Sequence, residues 1–541
     1  MPGPKMLKFS SVAVIVRQHL SGFCSLILVF KVAVTFLAAQ KHEYEVVVYG
    51  GTAGGVIAAV AAAREGTTVA LLEPGKHLGG MVSGGLSRTD HGKKETIGGY
   101  SLEFFKRVGR HYGEDITWYF EPHVAEKVFQ EMVRESNVIV FYRHRLKEKG
   151  GVKKKGTRIT EITMENGASF RAEIFADCTY EGDLMAAAGA SYTWGREGVK
   201  DYNESLAGVR PKDPHHQFDF PVSPYDEKGK LLPEIQKEPR GELGDGDKKV
   251  QAYNFRMILS SDSTNRRPFG KPPNYDPWRY ELLARYLKTF VTHRRRAPRL
   301  NEMFLPFPIP NNKADFNNRG PFSTDYIGKN WEYPDASYKR REVIWQEHAN
   351  YIKGLFYFLA NDPRVPKSLQ DEINQWGLAK DEFVDNDHWP YQLYIREARR
   401  MVGDFVMTQK DIQIELSKED VIGMGSYNSD SHNVQRYVTE QGNAQNEGNM
   451  EVRVTPYHIP YRVMLPKKRE VSNLLVPLCV SASHVAYSTL RMEPVYMIMG
   501  HAAGAAAKMA IESGKVVQDI DTEALTAKLR EQGAVMEWAK R

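Results

Sequence analysis

Residues 44–81 read YEVVVYGGTAGGVIAAVAAAREGTTVALLEPGKHLGGM, and the order of their parts decides the fold. Residues 46–49 (VVVY) are β-branched and aromatic, the composition of a short buried strand. The run breaks at Gly50-Gly51, and the alanine-rich residues 54–65 predict a helix stopped by Gly66. Residues 68–72 form a second apolar strand, with Glu73 at its end. Strand, glycine turn, helix and acidic strand end together make the βαβ unit of a dinucleotide-binding fold.

Each part has a physical purpose. Gly50 lets the chain turn sharply, and Gly55 lets the helix approach the sheet. The helix start, around Ala53 and Gly54, offers free N–H groups and a positive dipole end to a pyrophosphate. Glu73 follows Gly50 at a spacing of about 20 residues, where a carboxylate grips ribose hydroxyls. Thr52 stands where G-x-G-x-x-G has its middle glycine; its β-carbon limits backbone approach, while its hydroxyl is a donor for a phosphate. A second glycine-rich loop follows at once, Leu78-Gly79-Gly80-Met81 and then Ser83-Gly84-Gly85, and suits close contact with a large planar ring.

On these residues the chain resembles the FAD-dependent oxidoreductases of the glutathione-reductase-like class. More narrowly, it resembles a bacterial FAD-dependent oxidoreductase family, some members of which carry the label xanthan lyase. The resemblance spans residues 44–538. It implies an α/β, Rossmann-like FAD-binding domain of the glutathione-reductase type, discontinuous in sequence, with an inserted α+β substrate lobe. FAD is the implied cofactor. The implied contacts are Gly50, Gly51, Thr52, Ala53, Gly54, Gly55, Glu73 and Lys76, then Gly79, Gly80 and Met81. Leu146, Asp177, Asp183, Gly500 and Ala503 complete the set.

At 541 residues the chain exceeds one comfortable core, so interleaved domains are expected. The division runs 44–190 and 455–541 for FAD, and 191–454 for substrate. A formal charge of +6 is small for this length. The basic clusters at 293–299 and 153–155 lack interleaved aromatics, which argues against nucleic acid. Lys5, Lys8 and Arg17 precede apolar runs at 23–30 and 32–39, the pattern of a secretory signal cleaved near Ala39 or kept as an anchor. Twin arginines are absent, so export in unfolded form to the periplasm or outside is expected, with no other integral membrane segment. Cys178 and Cys479 read as two buried thiols rather than a disulfide framework, and the lack of C-x-x-C near the first helix excludes the disulfide-reductase branch.

Further on, residues 101–108 and 123–135 have helical spacing, 138–142 reads as a strand, and 158–164 with 168–175 form a hairpin turning at Gly167. The turn 176–184 (ADCTYEGDL) carries Asp177 and Asp183, which the resemblance brings to the pyrophosphate side; a polar helix-capping turn fits the residues equally. Residues 191–454 are rich in proline, tyrosine and tryptophan, with helical patterns at 339–361 and 391–409. Aromatics among Asn, Asp and Arg suit a small hydroxylated substrate, a carbohydrate-derived one among the candidates. Adjacent His215 and His216 diverge on a strand and have no third ligand at a sensible spacing, so no metal site is expected.

If the loop 423–432 (GMGSYNSDSH) is extended, Asp430 and His432 share a face and the carboxylate orients a general base. Residues 474–480 form a buried strand, and the small-residue helix around Gly500 and Gly504 follows. The resemblance directs that helix at the flavin C2 carbonyl. Catalytic candidates are therefore His432 and His484, with Arg396, Arg399 and Arg491 as anchors for an anionic or hydroxylated substrate. The expected function is hydride transfer from that substrate to flavin in an exported oxidoreductase. The alternatives are a flavin-containing polysaccharide lyase using Tyr427 and His432, and a flavin-dependent oxygenase. The electron acceptor is not legible.

Overall fold

A computed structural model describes residues 41–538. The expected export signal, 1–39, lies outside the described residues. Among those described, no helix is long and apolar enough to cross a membrane.

The opening stretch folds as β1 (Lys41–Tyr49), α1 (Ala53–Arg64) and β2 (Val69–Glu73). After α2 (Gly99–His111) and α3 (Pro122–Glu135) come β3 (Ile139–Tyr142), β4 (Val152–Lys155), β5 (Arg158–Thr163) and β6 (Ser169–Asp177). The sheet runs β3-β2-β1-β6-β5-β4. β1 lies at its centre, parallel to β2 and to β6, with Val46 opposite both Val69 and Ile174. Its last four residues are buried, as apolar strands covered on both faces must be. β4 and β5 turn back antiparallel, from the hairpin at Gly167 and its neighbour.

The far end of the chain completes this sheet. Leu474–Leu475 pairs parallel with β6 at Phe175 and Ala176. The strand covers two of the seven residues expected there, because the chain leaves the sheet immediately to approach α5 (His484–Leu490). α6 (Glu493–Ser513) then crosses α1 at very short range. A β-carbon on Gly500 would sit 2.1 Å from the Gly54 carbonyl oxygen, and one on Gly504 would sit 2.4 Å from that of Ala58. The small-residue pattern of both helices is thus an interhelical contact surface.

A second, antiparallel sheet takes Phe304–Ile309, Lys313–Asn318, Met257–Ser260, Gly377–Ala379 and Arg266–Arg267 in that order. The long helix α4 (Tyr338–Asn361) packs its Phe356 on Phe304 and Phe316. One expectation fails here: 391–409 is not helical but largely irregular, with Arg400–Met401 paired and single bridges from Tyr394 to Asn254 and from Met407 to Ala482. The reason is electrostatic. Arg396, Arg399 and Arg400 reach carboxylates in different places (Asp325, then Asp183 and Asp335, then Glu197 and Glu397), directions that one helical face does not supply.

Candidate active site

The glycine turn after β1 is built as its sequence requires. Gly50 has φ +104°, and a β-carbon there would lie 2.7 Å from the backbone of Cys178. Thr52 caps α1: its hydroxyl accepts from Gly55 N–H at 3.1 Å and donates to the Cys178 carbonyl at 2.8 Å. That hydroxyl therefore fastens the turn to the end of β6 and is not the phosphate donor the sequence suggested. The second glycine loop lies alongside, with Gly79 N–H donating to the Gly51 carbonyl at 2.7 Å. Glu73 accepts from Gly51 N–H at 2.8 Å and also from Gly75 N–H. Burial pushes its carboxyl up to about 7, so further donors such as ribose hydroxyls stabilise its charged form.

Other expected contacts are committed to the scaffold. Asp177 is buried and accepts from Met185 N–H (2.7 Å) and from both donors of Thr179, and burial raises it to about 6. Asp183 is gripped by Arg341 and Arg399, each at 2.8 Å, so Asp183 and Arg399 are engaged with each other within the protein. Leu146 gives its N–H to the Tyr49 hydroxyl at 3.0 Å. Gly500 serves the crossing with α1, Ala503 is buried in the same helix, and Lys76 is exposed on the loop between Glu73 and Gly79.

At the start of α6 lies a group that sequence reading did not pick out. The Tyr180 hydroxyl accepts from Met81 N–H at 2.9 Å and donates to Glu493 Oε1 at 2.7 Å, while Glu493 Oε2 has no partner. Burial pushes the Glu493 carboxyl up to about 8 against the pull of Tyr180. A carboxyl raised on folding stabilises the fold fully below its ordinary value of 4.5 and loses that contribution as pH climbs through about 8. Glu493→Gln should therefore match the parent protein at pH 4 and surpass it increasingly between pH 5 and 8. Chemical denaturation across that range checks this; parallel curves would show that Glu493 is ionised in the fold.

The main cavity, about 1170 Å³, opens beyond the second glycine loop, where Arg88, Thr89 and Asp90 meet Asn318, Tyr427 and His432. His432 is oriented from behind. Its Nδ1 lies 2.7 Å from Asp325 Oδ2, and Asp325 Oδ1 accepts from Arg396 Nη2 at 2.9 Å. Burial opposes the charge on Asp325, yet Arg396 and His432 hold its carboxyl well below the usual range. With Nδ1–H given to Asp325, Nε2 keeps its lone pair. Burial and the Arg396 charge hold His432 below the ordinary imidazole value, so it is neutral at pH 7.

Asp430 was the expected partner, but its carboxylate lies 3.8 Å from Nε2 and is engaged by Arg491 at 3.2 Å. Asp325, 107 residues away in sequence, takes that place and gave no local signal. Asp325→Asn should lower the rate by about 100-fold and move its acid limb to lower pH, since the charge that favours imidazolium is lost. An unchanged pH–rate profile would sink that assignment.

His484 is a different case. It is buried with Nδ1 on Glu397 at 2.8 Å and its backbone N–H on Glu197, away from the cavity lining. Burial and Arg400 lower it to about 3, so it does not titrate near neutrality. Among the described residues one cluster, Glu121, His123 and Glu382, has metal-ligand spacing. The Lys313 ammonium already bridges it, at 2.5 Å from Glu121 and 2.7 Å from Glu382. His215 and His216 sit on a loop rather than a strand, their rings 6.5 Å apart.

Residues 45–529 match the FAD-dependent oxidoreductase family, and the chain belongs to it. It is an FAD-dependent oxidoreductase built on a mixed α/β sheet. No curated protein matches the chain. Among solved structures it is similar to a geranylgeranyl bacteriochlorophyll reductase-like protein from Thermoplasma acidophilum, at 11% identity over 91% of this chain and 83% of that one, TM-score 0.34. It is also similar to L-proline dehydrogenase from P. horikoshii, at 16% identity over 29% and 59% of the two chains, TM-score 0.24. For OxyS anhydrotetracycline hydroxylase from Streptomyces rimosus the values are 10%, 32% and 41%, TM-score 0.22. The chain spans less than two thirds of the last two.

The residues present fit FAD. Glycines at 50, 51, 79 and 80 stand where a β-carbon would strike neighbours within 2.8 Å, the Gly79 N–H bond to the Gly51 carbonyl joins both loops, and Glu493 Oε2 is a buried polar atom still lacking a partner.

Proposed function

We propose that this enzyme oxidises a small hydroxylated substrate, carbohydrate-derived in class, bound in the main cavity. The observation that carries the reading is the Arg396–Asp325–His432 chain ending at that cavity with an open Nε2. In this reading Nε2 takes the hydroxyl proton as the adjacent carbon loses hydride. Asp325 stays ionised beside the new imidazolium, and Arg396 keeps Asp325 from taking the proton. FAD, when bound, supplies the acceptor for the hydride. Arg491 holds Asp430 through its carbonyl oxygen (2.8 Å) and its carboxylate, which fixes the loop carrying His432.

The domain reading follows the same lines: a glutathione-reductase-type FAD domain from 44–190 and 455–541, and an inserted substrate lobe from 191–454. The return of Leu474–Leu475 to β6 supports it. Export through the segment 1–39 belongs to this proposal too. The lyase alternative loses its second base, because the Tyr427 hydroxyl donates a hydrogen bond to Asp90 at 3.2 Å and that carboxylate, with burial, raises the phenol. The test is anaerobic mixing of the FAD-loaded protein with sugars, sugar acids and polyols. Bleaching of the flavin with formation of a carbonyl product supports the reading. An unsaturated product without bleaching would return the lyase to the front.

A further inference from the structure

The arginines buried around this cavity are nearly all paired. Arg256 donates two hydrogen bonds to Asp315, each at 2.8 Å, Arg396 meets Asp325 and Arg491 meets Asp430. Arg88 differs from these three. It lines the cavity half-buried, and no carboxylate lies within ion-pair distance of its guanidinium among the described residues. It is nevertheless held in place. Its guanidinium carbon lies 3.8 Å from the centroid of Phe307 and 5.1 Å from that of Tyr119. Its backbone N–H donates to Asp315 Oδ2 at 3.0 Å, and Asp315 is itself locked by Arg256. Stacking occupies the faces of a guanidinium and leaves its in-plane N–H fork free, the geometry that matches a carboxylate.

The charges nearby do not fill that role. Asp90, two residues on, bonds Tyr427 instead. Asp430 is taken by Arg491, Glu302 by Arg296 at 2.7 Å, and Glu451 lies 3.5 Å from His215. Lys93, Arg319 and Arg453 stand exposed along the same cavity with the carboxylates of Asp219 and Glu451, so the charge at its edge is mixed and recognition of an acid falls to Arg88.

We propose that Arg88 is a substrate anchor for a carboxylate, and that the substrate is a hydroxylated acid of the aldonate or uronate class rather than a neutral polyol. The inference rests on the reading of the cavity as the substrate site. It adds a division of labour: Arg88 holds the acid end, and His432 takes the proton from a hydroxyl elsewhere on the same molecule. No atom is transferred to or from Arg88.

The test uses the FAD-loaded full chain with D-gluconate and D-glucuronate as acids, and sorbitol and D-glucose as their neutral counterparts. Binding is read by calorimetry and flavin reduction by anaerobic bleaching. The acids should bind at least tenfold more tightly than the neutral compounds, and less so at high salt. Arg88→Gln should weaken acid binding by about 10- to 100-fold and leave neutral binding unchanged. Arg88→Lys keeps the charge but loses the fork, and should recover only part; it also guards against a loosened Phe307 contact. Equal affinity for sorbitol and gluconate, or full acid affinity in Arg88→Gln, would overturn the proposal. Acids that bind through Arg88 without bleaching the flavin would uphold the anchor and defeat hydroxyl oxidation. Neutral compounds that bleach the flavin while acids neither bind nor compete would do the reverse.

Discussion

Replacing His432 by alanine should slow reduction of the bound flavin by about 10²- to 10⁴-fold, the usual contribution of a positioned general base. The variant should still fold and bind FAD, because the imidazole contacts Asp325 and the cavity and supports neither glycine loop. Its loss does leave the Asp325–Arg396 pair intact at 2.9 Å, so no buried charge is orphaned. The pH dependence gives a second reading of the same group. Since burial and Arg396 hold His432 below the ordinary imidazole value of 6.5, the acid limb of the rate should lie below that value and disappear in the variant. Stopped-flow reduction across pH 4–8 measures both. Near-normal reduction in His432→Ala would remove it from the chemistry.

The second large effect belongs to the helix crossing. Gly500→Ala places a methyl group 2.1 Å from the Gly54 carbonyl oxygen, on a backbone that also forms the first turn of α1. Overpacking of a well-packed site costs about 1–3 kcal/mol, and here the neighbour is main chain, which puts the cost at the upper end. The expected result is a melting temperature lowered by several degrees, with FAD released well before global unfolding, because the displaced turn carries Gly50 to Gly55. Flavin fluorescence during a thermal ramp separates the two events. Gly270→Ala, where nothing lies within 4 Å of the added carbon, is the matched control. Equal behaviour of the two variants would mean that α6 can shift and that the close contact is dispensable.

Much of this was legible because it is local. The βαβ unit announces itself through glycine, small residues and an acid at fixed spacing, and each device acts on atoms within a few residues of its own position. The hairpin at Gly167 is equally short-range, as Met164 N–H meets the Ala168 carbonyl at 2.8 Å. What sequence could not supply was partnership across distance. Asp430 looked like the partner of His432 because it is two residues away; the real one is Asp325. His484 looked reactive because it lies close in sequence to the helix expected at the flavin, but its character is set by Glu397 and Arg400. The segment 391–409 carries a helical pattern that its arginines override, since unpaired buried charge costs more than a few helical hydrogen bonds return. Arg88 gave no signal at all: its meaning lies in the carboxylate it lacks.

The strand Leu474–Leu475 carries a further consequence, for the way the protein is made. Thr179 and Cys479, in contact beside that strand, are 300 residues apart in sequence. A growing chain that has already produced β1 to β6 must therefore wait for most of its remaining length before β6 gains its last neighbour and α1 its partner helix. Throughout that interval it carries an open strand edge and an uncovered alanine-rich helix, features that invite wrong pairing. Slow, non-local closure of this kind calls for protection by holding chaperones. It also means that a chain stopped short of residue 475 is not a smaller enzyme but an aggregation-prone half of a cofactor fold.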